Sequence, residues 1–190
     1  PHVLGIARDT EEDTRGLLQR APEFDLMITT GGVSMGDFDV VKKVLTEIGE
    51  LDFWKVAMRP GAPQTFGTIG GTPFFGLPGN PTSTMVGFEL FVRPSIRKMA
   101  GFSTLVRPRV IAALTHDAKK KSDRRYFLRG RLTRAHGGGY SAAIAGNQSS
   151  ALLTAMHRGN CLISLPEGES FIAAGTEVVC IRLDVEEGTA

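Results

Sequence analysis

The chain has 190 residues, of which 42% are apolar and 22% are charged, a composition typical of a globular protein with one large domain or two small ones. The formal net charge is only +2, which argues against a nucleic-acid-binding protein. No apolar run approaches the ~20 residues that cross a bilayer, and the first residues lack the pattern of a signal peptide, so we expect a cytoplasmic protein with no membrane contact.

Strand-like and helical segments alternate in the first half of the chain. In chain order, the pattern predicts a buried strand at 3–7, a helix from Thr10 to Pro22, a strand at 24–30, a helix at 40–48, strands at 53–58, 64–68 and 72–77, and a long helix from 82 to about 99 that Pro94 should kink. Because parallel neighbours need helical crossovers, this alternation predicts an α/β sheet that is mainly parallel, with helices on both faces.

Short strands separated by glycine-rich turns dominate the second half. They are predicted at 110–114, 126–132, 140–144, 161–165 and 177–183, with one helical turn near 151–156. This pattern favours a small all-β barrel or sandwich, so we expect an α/β domain at 1–103 and a β domain at 104–190. Cys161 and Cys180 lie in apolar stretches and are expected to be reduced and buried. The basic run at 119–125 is expected to be a solvated hairpin, with contact to an anionic substrate as the alternative.

The loop after the strand at 24–30 carries three glycines and a serine. Its candidate ligand-binding residues are Thr30, Gly31, Gly32, Ser34 and Gly36. In α/β sheets ligands collect where strands end, and a glycine loop lets backbone amides approach a phosphate or carboxylate. A tight strand-to-helix turn would need the same glycines, so the sequence leaves both explanations open.

Two aspartates, Asp37 and Asp39, end this glycine loop. Either can be the N-cap of the following helix. A carboxylate beside a phosphate would repel it unless a cation lies between them, so the alternative is a site for Mg²⁺. One aspartate for each role is consistent with the sequence.

A second loop follows the strand at 72–77, and its candidate binding residues are Pro78, Gly79, Asn80, Pro81 and Ser83. Asn80 suits an N-cap and Pro81 a first helical residue, so a helix start explains the motif. A second rigid loop at the same edge of the sheet nevertheless indicates a binding surface. We therefore expect both loops to lie at one rim.

One cation lies within the strand predicted at 53–58, and a second cation and a stiff turn follow it. Lys55 and Arg59 would face the same side of a continuous strand, and Pro60 and Gly61 come next. These cations could contact an anionic ligand, although two solvated surface charges explain them equally well.

In this order, the motifs resemble those of the MoeA family of molybdopterin molybdenumtransferases, to which the gephyrin E domain belongs. The motifs that carry the resemblance lie at 30–39, 53–55, 59–61, 77–81, 124–130 and 146–150. The resemblance implies a MogA/MoaB-like molybdopterin-binding domain followed by a β-barrel.

It also implies insertion of molybdate into adenylylated molybdopterin with release of AMP, promoted by Mg²⁺. Lys55, Arg59 and Asp39 are then the catalytic candidates, and Asp39 matches the functional aspartate of the family. Asp9 matches another acidic position and is a second candidate metal ligand, although it can also cap a helix. Ser150 matches a position that, in the family, faces the active cleft of a dimer partner, so a homodimer is implied, with a molybdopterin adenylyltransferase as a possible partner.

The sequence departs from the family in several places. The family's two N-terminal domains, and the first strand and helix of its α/β domain, have no counterpart in the chain, so we expect weak ligand binding and little turnover by these 190 residues alone. Ala62 and Arg59 stand where lysine is frequent. A molybdopterin adenylyltransferase is an alternative function, because MogA-like enzymes share the α/β domain, but the attached β domain argues against it. A gephyrin-like interaction module is a third, non-enzymatic hypothesis.

Overall fold

The structure is a computed structural model that describes residues 1–32, 40–135, 137–150 and 152–185. The chain forms two compact units. Pro1–Val56 and Gly61–Phe88 make up the first, and Ala57–Pro60 with the chain from Glu89 onward make up the second. The chain therefore passes through the second unit for four residues before it returns to the first.

Strands and helices of the described residues are numbered in chain order. The strands are β1 Met27–Thr30, β2 Gly49–Lys55, β3 Met58–Arg59, β4 Pro63–Ile69, β5 Thr72–Leu77, β6 Arg109–Leu114, β7 Ala118–Lys119, β8 Arg125–Arg134, β9 Tyr140–Ile144, β10 Cys161–Leu165, β11 Phe171–Ile172 and β12 Glu177–Arg182. The α-helices are α1 Glu11–Leu18, α2 Val40–Ile48, α3 Pro81–Gly87, α4 Arg93–Met99 and α5 Thr154–Arg158. Each described helix is too short or too polar to span a bilayer.

The first unit is built on a four-stranded sheet with the order β1-β5-β4-β2. Met27, Ile69 and Phe74 pack on one face against Leu18 of α1 and the buried valine and leucine of α2. On the other face, Gly87 of α3 lies over Leu77 and Gln64. Helices thus cover both faces, as the alternation of elements predicted.

The pairing within this sheet differs from the mainly parallel arrangement that we expected. In the described sheet only β1 and β5 are parallel, whereas β4 pairs antiparallel with both β5 and β2. The reason lies in the short connections, since Gly70 and Gly71 join β4 to β5 as a hairpin and leave no room for a helical crossover.

The strand predicted at 3–7 is wrong. Residues 1–8 form neither a strand nor a helix, and Val3 and Ile6 are 94% and 97% exposed. A strand is stable only when a neighbour completes its hydrogen bonds, and this segment pairs with no strand of the described sheet. Its apolar composition alone was therefore misleading.

The long helix predicted from 82 to about 99 is interrupted. Between α3 and α4 the chain forms a π-helical turn at Phe88–Val92, and Pro94 lies in the first turn of α4. Proline has no amide hydrogen to continue the α-helical ladder, so an interruption just before it was expected. Within this turn, Glu89 accepts hydrogen bonds from Arg107 at 2.8 and 3.1 Å.

The second unit contains a closed barrel of five strands. They are hydrogen-bonded in the order β10-β12-β6-β9-β8, and β8 pairs with β10 to close the ring. The short β3 adds to the end of β8 in parallel. Buried residues such as Leu114, Leu128, Ala142 and Ile163 fill the interior. The barrel predicted from period-2 patterning is confirmed.

Candidate functional site

The two predicted loops meet at one edge of the first sheet. Because β1 and β5 are parallel and Thr30 pairs with Leu77, both strands end at the same level. The Gly31 amide donates to the Leu77 carbonyl at 2.9 Å. A Cβ added to Gly79 would lie 3.2 Å from the Gly31 Cα, so the two loops approach backbone to backbone.

Local hydrogen bonds hold the second loop rigid. Asn80 is the N-cap of α3 and its side chain accepts from the Ser83 amide at 3.3 Å, with Pro81 as the first helical residue. Thr84, which the sequence analysis did not single out, donates through Oγ1 to the Pro78 and Asn80 carbonyls. Pro78 is buried, whereas Gly79 is exposed at the rim.

The glycines of the first loop have clear structural roles. Gly31 and Gly32 have φ angles of +91° and +69°, which other residues rarely adopt. A Cβ on Gly32 would also overlap the side chain of Val41 in α2. The Gly31 amide is already bonded to Leu77, so an anion cannot rely on it as a free donor. Thr30 ends β1 with its side chain exposed. Ser34, Gly36, Asp37 and Asp39 lie outside the described residues.

Lys55 and Arg59 do not share one strand, so the expectation that alternation puts them on one side is wrong. Lys55 is the last residue of β2, where it is opposite Pro63 of β4. Arg59 belongs to β3, which pairs with β8 of the barrel. The ladder of β2 ends because β4 begins at Pro63, and the chain then pairs with a different partner. Both side chains are exposed.

The turn after Arg59 is held from within the first unit. Gln64 is buried and its Nε2 donates to the Gly61 carbonyl at 2.8 Å, while the Val56 amide donates to the Ala62 carbonyl at 2.8 Å. Pro60 is buried and Gly61 has a φ of +88°. The stiff turn is therefore fixed by side-chain and backbone hydrogen bonds as well as by its prolines.

Arg59 itself is oriented by an aromatic ring. Its guanidinium carbon lies 5.7 Å from the centre of the Tyr126 ring, and Tyr126 is its partner in the β3–β8 ladder. No ion pair of the described residues includes Arg59. Its positive charge is thus held in place without a carboxylate partner in the described part of the chain.

The described residues do not assemble a magnesium site. Among them, no group of three or more aspartate, glutamate, histidine or cysteine side chains could hold a metal ion. Asp9 is exposed just before α1, and Asp39 lies outside the described part of the chain. Mg²⁺ prefers several oxygen ligands, and Asp9 alone does not provide them.

A buried cation lies in the second unit near Ser150. Arg129 of β8 is 2% exposed, and burial lowers the pKa of its guanidinium. Its Nη2 donates to the Ser149 carbonyl at 3.3 Å, while its Nε is buried without a partner. The Gln148 side chain accepts a hydrogen bond from the Arg129 amide at 2.8 Å and donates one to the Arg129 carbonyl at 3.1 Å. The loop that carries Ser150 is thereby fixed over a cation that no carboxylate of the described residues neutralises.

Arg129 is a residue that sequence reasoning missed. It lies inside the quoted motif at 124–130, but nothing in the local pattern distinguishes it from its neighbours Arg124 and Arg125. Its burial comes with long-range contacts, since Leu162 of β10 is its ladder partner and Gln148 and Ser149 are hydrogen-bonded to it. An isolated buried charge is unfavourable, and such a residue is commonly retained for function.

The basic run at 119–125 is not uniformly solvated, contrary to expectation. Lys120 is buried, and its Nζ donates to the carbonyls of Arg124 and Pro166. The carbonyls and the nearby Tyr126 ring replace the hydration of the ammonium group. Arg125 behaves as predicted for a surface charge and pairs with Glu167 at 2.9 Å.

The prediction for the two cysteines is confirmed, since Cys161 and Cys180 are free and buried. They lie on neighbouring strands of the barrel, with Cys180 opposite Ile163. The contact with the Cys180 sulfur, followed by burial, raises the pKa of the Cys161 thiol. Such a thiol stays protonated and is a poor nucleophile.

Comparison with protein families gives two matches, one in the first part of the chain and one in the second. Residues 1–98 match a family described as "Probable molybdopterin binding domain". Residues 112–183 match the family described as "MoeA C-terminal region (domain IV)". The first match ends within α4, and the second begins within β6, the first strand of the barrel.

Curated relatives that match most of the chain carry one name, molybdopterin molybdenumtransferase. The Haemophilus influenzae protein is 37% identical over 177 residues, covering 92% of this chain and 44% of the relative. The Staphylococcus aureus protein is 36% identical over 192 residues, covering 97% and 45%. The chain therefore spans less than half the length of these relatives.

Solved structures agree with the fold. The MoeA protein of molybdopterin biosynthesis from Pyrococcus horikoshii superposes with a TM-score of 0.77 at 30% identity, over 94% of this chain and 42% of that chain. A molybdenum cofactor biosynthesis protein from Pyrococcus furiosus superposes with a TM-score of 0.73 at 24% identity, over 96% of this chain and 58% of that chain, which supports the fold alone.

Proposed function

Because this chain belongs to the molybdopterin-binding domain family and continues into a MoeA C-terminal region, we propose that its protein inserts molybdate into adenylylated molybdopterin and releases AMP. The observation that carries the proposal is the meeting of the Gly31 and Gly79 loops where β1 and β5 end. This edge is where α/β sheets bind their ligands. The shared name of the curated relatives supports the same reaction.

We assign ligand binding to residues of both loops, to the turn at Pro60 and Gly61, and to Ser150 of the second unit. The set contains Thr30, Gly31, Gly32, Ser34, Gly36, Asp37, Pro60, Gly61, Pro78, Gly79, Asn80, Pro81, Ser83 and Ser150. Gly79 is exposed at the rim and lacks a side chain, so a flat or bulky ligand can approach the backbone there. Asn80 and Ser83 shape this rim through their capping hydrogen bond.

Lys55, Arg59 and Asp39 are the proposed catalytic residues. Cleavage of the link between AMP and molybdopterin concentrates negative charge on phosphate oxygens, and molybdate is itself an anion. Cations stabilise such charge when they are held in place before the reaction. Arg59 meets this requirement because the Tyr126 ring orients it and no described carboxylate pairs with it. Arg129 is a further cation with no carboxylate partner among the described residues, and it is hydrogen-bonded to the loop of Ser150 through the Ser149 carbonyl.

Mg²⁺ is part of the proposal, with Asp39 and Asp9 as its ligands. We assign no step of the reaction to it, because the described residues contribute only Asp9 to such a site. The dependence is tested by removing divalent ions with EDTA and adding back Mg²⁺ or Ca²⁺. Equal AMP release with and without EDTA would remove the metal from the proposal.

The proposal also covers the location, the oligomeric state and the partner of the enzyme. We propose a cytoplasmic homodimer that receives its substrate from a molybdopterin adenylyltransferase. Since the chain covers 44% of the Haemophilus influenzae relative, we also propose that these 190 residues alone bind the substrate weakly and turn it over slowly. Rapid AMP release by the isolated chain would contradict this last point.

The decisive experiment measures AMP release from adenylylated molybdopterin by the full-length protein, with and without molybdate. We expect molybdate-dependent release in the wild type, a large loss in Asp39→Ala, and no loss in the control Asp25→Ala, which changes an exposed carboxylate outside the proposed surface. Adenylylation of molybdopterin that requires ATP would instead favour the adenylyltransferase. A protein that neither binds nor converts the substrate would favour an interaction module.

A further inference from the structure

We propose that Tyr126 is a positioning residue for Arg59, so that its ring orients the guanidinium toward an anionic group of the ligand while leaving its charge available. This inference rests on the proposed function, because it takes the ligand to be an oxyanion or a phosphate ester. It adds a specific role for a residue that lies outside the proposed binding set.

The backbone brings the two residues together. β3 and β8 are parallel, and Arg59 is the ladder partner of Tyr126. Side chains of paired residues in a sheet stand on the same face and can contact each other. The observed separation of 5.7 Å between the guanidinium carbon and the ring centre is within the range of a cation–π interaction.

Tyr126 is itself held firmly. The ring is 6% exposed and belongs to the barrel core with Leu128 and Leu165. Its hydroxyl accepts from the Lys121 amide at 3.1 Å and lies 3.2 Å from Ser122 Oγ. Because core packing holds the ring and hydrogen bonds hold the hydroxyl, Tyr126 has a fixed position. Contact with it lowers the number of orientations that the Arg59 side chain can adopt.

The neighbouring arginine provides an internal comparison. Arg125 follows the common surface pattern and pairs with Glu167 through two hydrogen bonds of 2.9 and 3.0 Å. Such a pair orients a guanidinium well but cancels its charge and occupies its donors. Arg59 instead has an aromatic partner: its guanidinium lies against the Tyr126 ring and also interacts with the Tyr126 hydroxyl, and neither contact cancels its charge as a carboxylate would. This difference between Arg125 and Arg59 is consistent with a role of Arg59 in binding an anion.

A second cation shares the ring. Lys120 Nζ lies 5.6 Å from the ring centre, and its donors are directed to the carbonyls of Arg124 and Pro166. Lys120 is buried and therefore cannot replace Arg59 at the surface. It does add positive potential behind Arg59, which strengthens the attraction for an anion.

The test uses the full-length protein and fluorinated phenylalanines incorporated at position 126. One, two or three fluorine atoms weaken the quadrupole stepwise with little change in shape. The probes are sodium molybdate and AMP, and their dissociation constants are measured by calorimetry. We expect affinity for at least one probe to fall about two- to fivefold across the series, as the strength of an exposed cation–π interaction implies. Tyr126→Phe is the reference for this series, because it keeps the ring and, like the fluorinated residues, lacks the hydroxyl that also contacts Arg59.

The same series in an Arg59→Met background distinguishes a failure of the proposed anion-binding role of Arg59 from a failure of the inference about Tyr126. If the ring acts through Arg59, fluorination should have no further effect there, although Lys120 still contacts the ring. No loss of affinity in Arg59→Met alone would reject the anion-binding role in the proposed function. A loss in Arg59→Met with no response to fluorination would leave that role intact and overturn the inference about Tyr126.

A spectroscopic measurement gives an independent result. In the wild type and in Tyr126→Phe, the ring current should shift the Arg59 Nε–Hε resonance, and Tyr126→Leu should abolish the shift. An unchanged resonance in Tyr126→Leu would show that the ring does not hold Arg59, and so would overturn the proposal.

Discussion

Gly79 and Gly31 lie backbone to backbone, with only 3.2 Å between the Gly31 Cα and the place where a Gly79 Cβ would be. This contact joins the two loops at the edge where β1 and β5 end. The close approach has direct consequences for substitution.

Gly79→Val should separate the two loops and weaken substrate binding by about tenfold, because overpacking at such a contact forces the backbone to shift. Isothermal titration of the full-length protein with adenylylated molybdopterin measures the effect. The matched control is Gly16→Ala in α1, where an added Cβ meets no atom within 4 Å. It should leave binding unchanged and raise the stability by up to about 1 kcal/mol. Wild-type affinity in Gly79→Val would show that the contact does not shape the site.

Gly32→Ala should destabilise the protein by roughly 1–3 kcal/mol, since it combines a positive φ with an overlap on Val41. Urea unfolding measures the change. Gly71→Ala is the control for backbone strain alone, because Gly71 has a φ of +83° and open space around its Cβ position. If both variants lost the same stability, the packing against Val41 would have no part in the requirement for glycine.

Arg129→Met should weaken binding of the substrate while leaving the stability unchanged or higher. Arg129 is a buried cation without a described carboxylate partner, and replacing a poorly compensated buried charge by an apolar side chain of similar length is often neutral or stabilising, by ~1–4 kcal/mol. Binding is followed by calorimetry and stability by chemical unfolding. A large loss of stability with unchanged binding would identify Arg129 as a purely structural residue.

The Arg125–Glu167 pair makes a prediction about pH. Hydrogen bonds from Arg125 lower the pKa of Glu167 from 4.5 to about 2 in the folded protein. The pair therefore contributes its full stabilisation above about pH 4.5, and this contribution is lost as the pH falls toward 2. The contribution is small because both side chains are exposed and screened by salt.

An NMR titration of the Glu167 carboxyl carbon tests this directly. The midpoint should be low in the wild type, rise in 1 M salt, and rise toward the ordinary value in Arg125→Gln. Arg124→Gln should leave it unchanged, because Arg124 does not pair with Glu167 among the described residues. An ordinary midpoint in the wild type would show that the pair does not persist in solution.

Local patterns predicted the elements whose boundaries depend on local chemistry. The strands at 140–144 and 161–165 were placed at the residues where they occur, because Gly139 precedes the first and Asn160 and Pro166 bound the second. The N-cap at Asn80 followed from the same kind of reasoning. Conversely, the apolar segment at 3–7 has the composition of a strand but pairs with no described strand.

The features that sequence reasoning missed depend on contacts between distant residues. Arg59 and Tyr126 are far apart in the chain, and only the β3–β8 pairing makes them neighbours. The burial of Arg129 depends in the same way on the loop at 145–150. The roles proposed for Asp37 and Asp39 stay predictions, since these residues lie outside the described part of the chain.

The two-residue strand β3 has a consequence for how such a protein can be divided or recombined. The chain enters the second unit at Ala57, leaves it after Pro60, and enters it again at Glu89, so this unit is assembled from two separate stretches. A division of the chain at 60/61 or at 88/89 would leave Met58 and Arg59 without the β8 backbone with which they pair. When the barrel is exchanged between homologous proteins, residues 57–60 should therefore be exchanged with it. Otherwise the β8 of one protein must pair with the β3 of another.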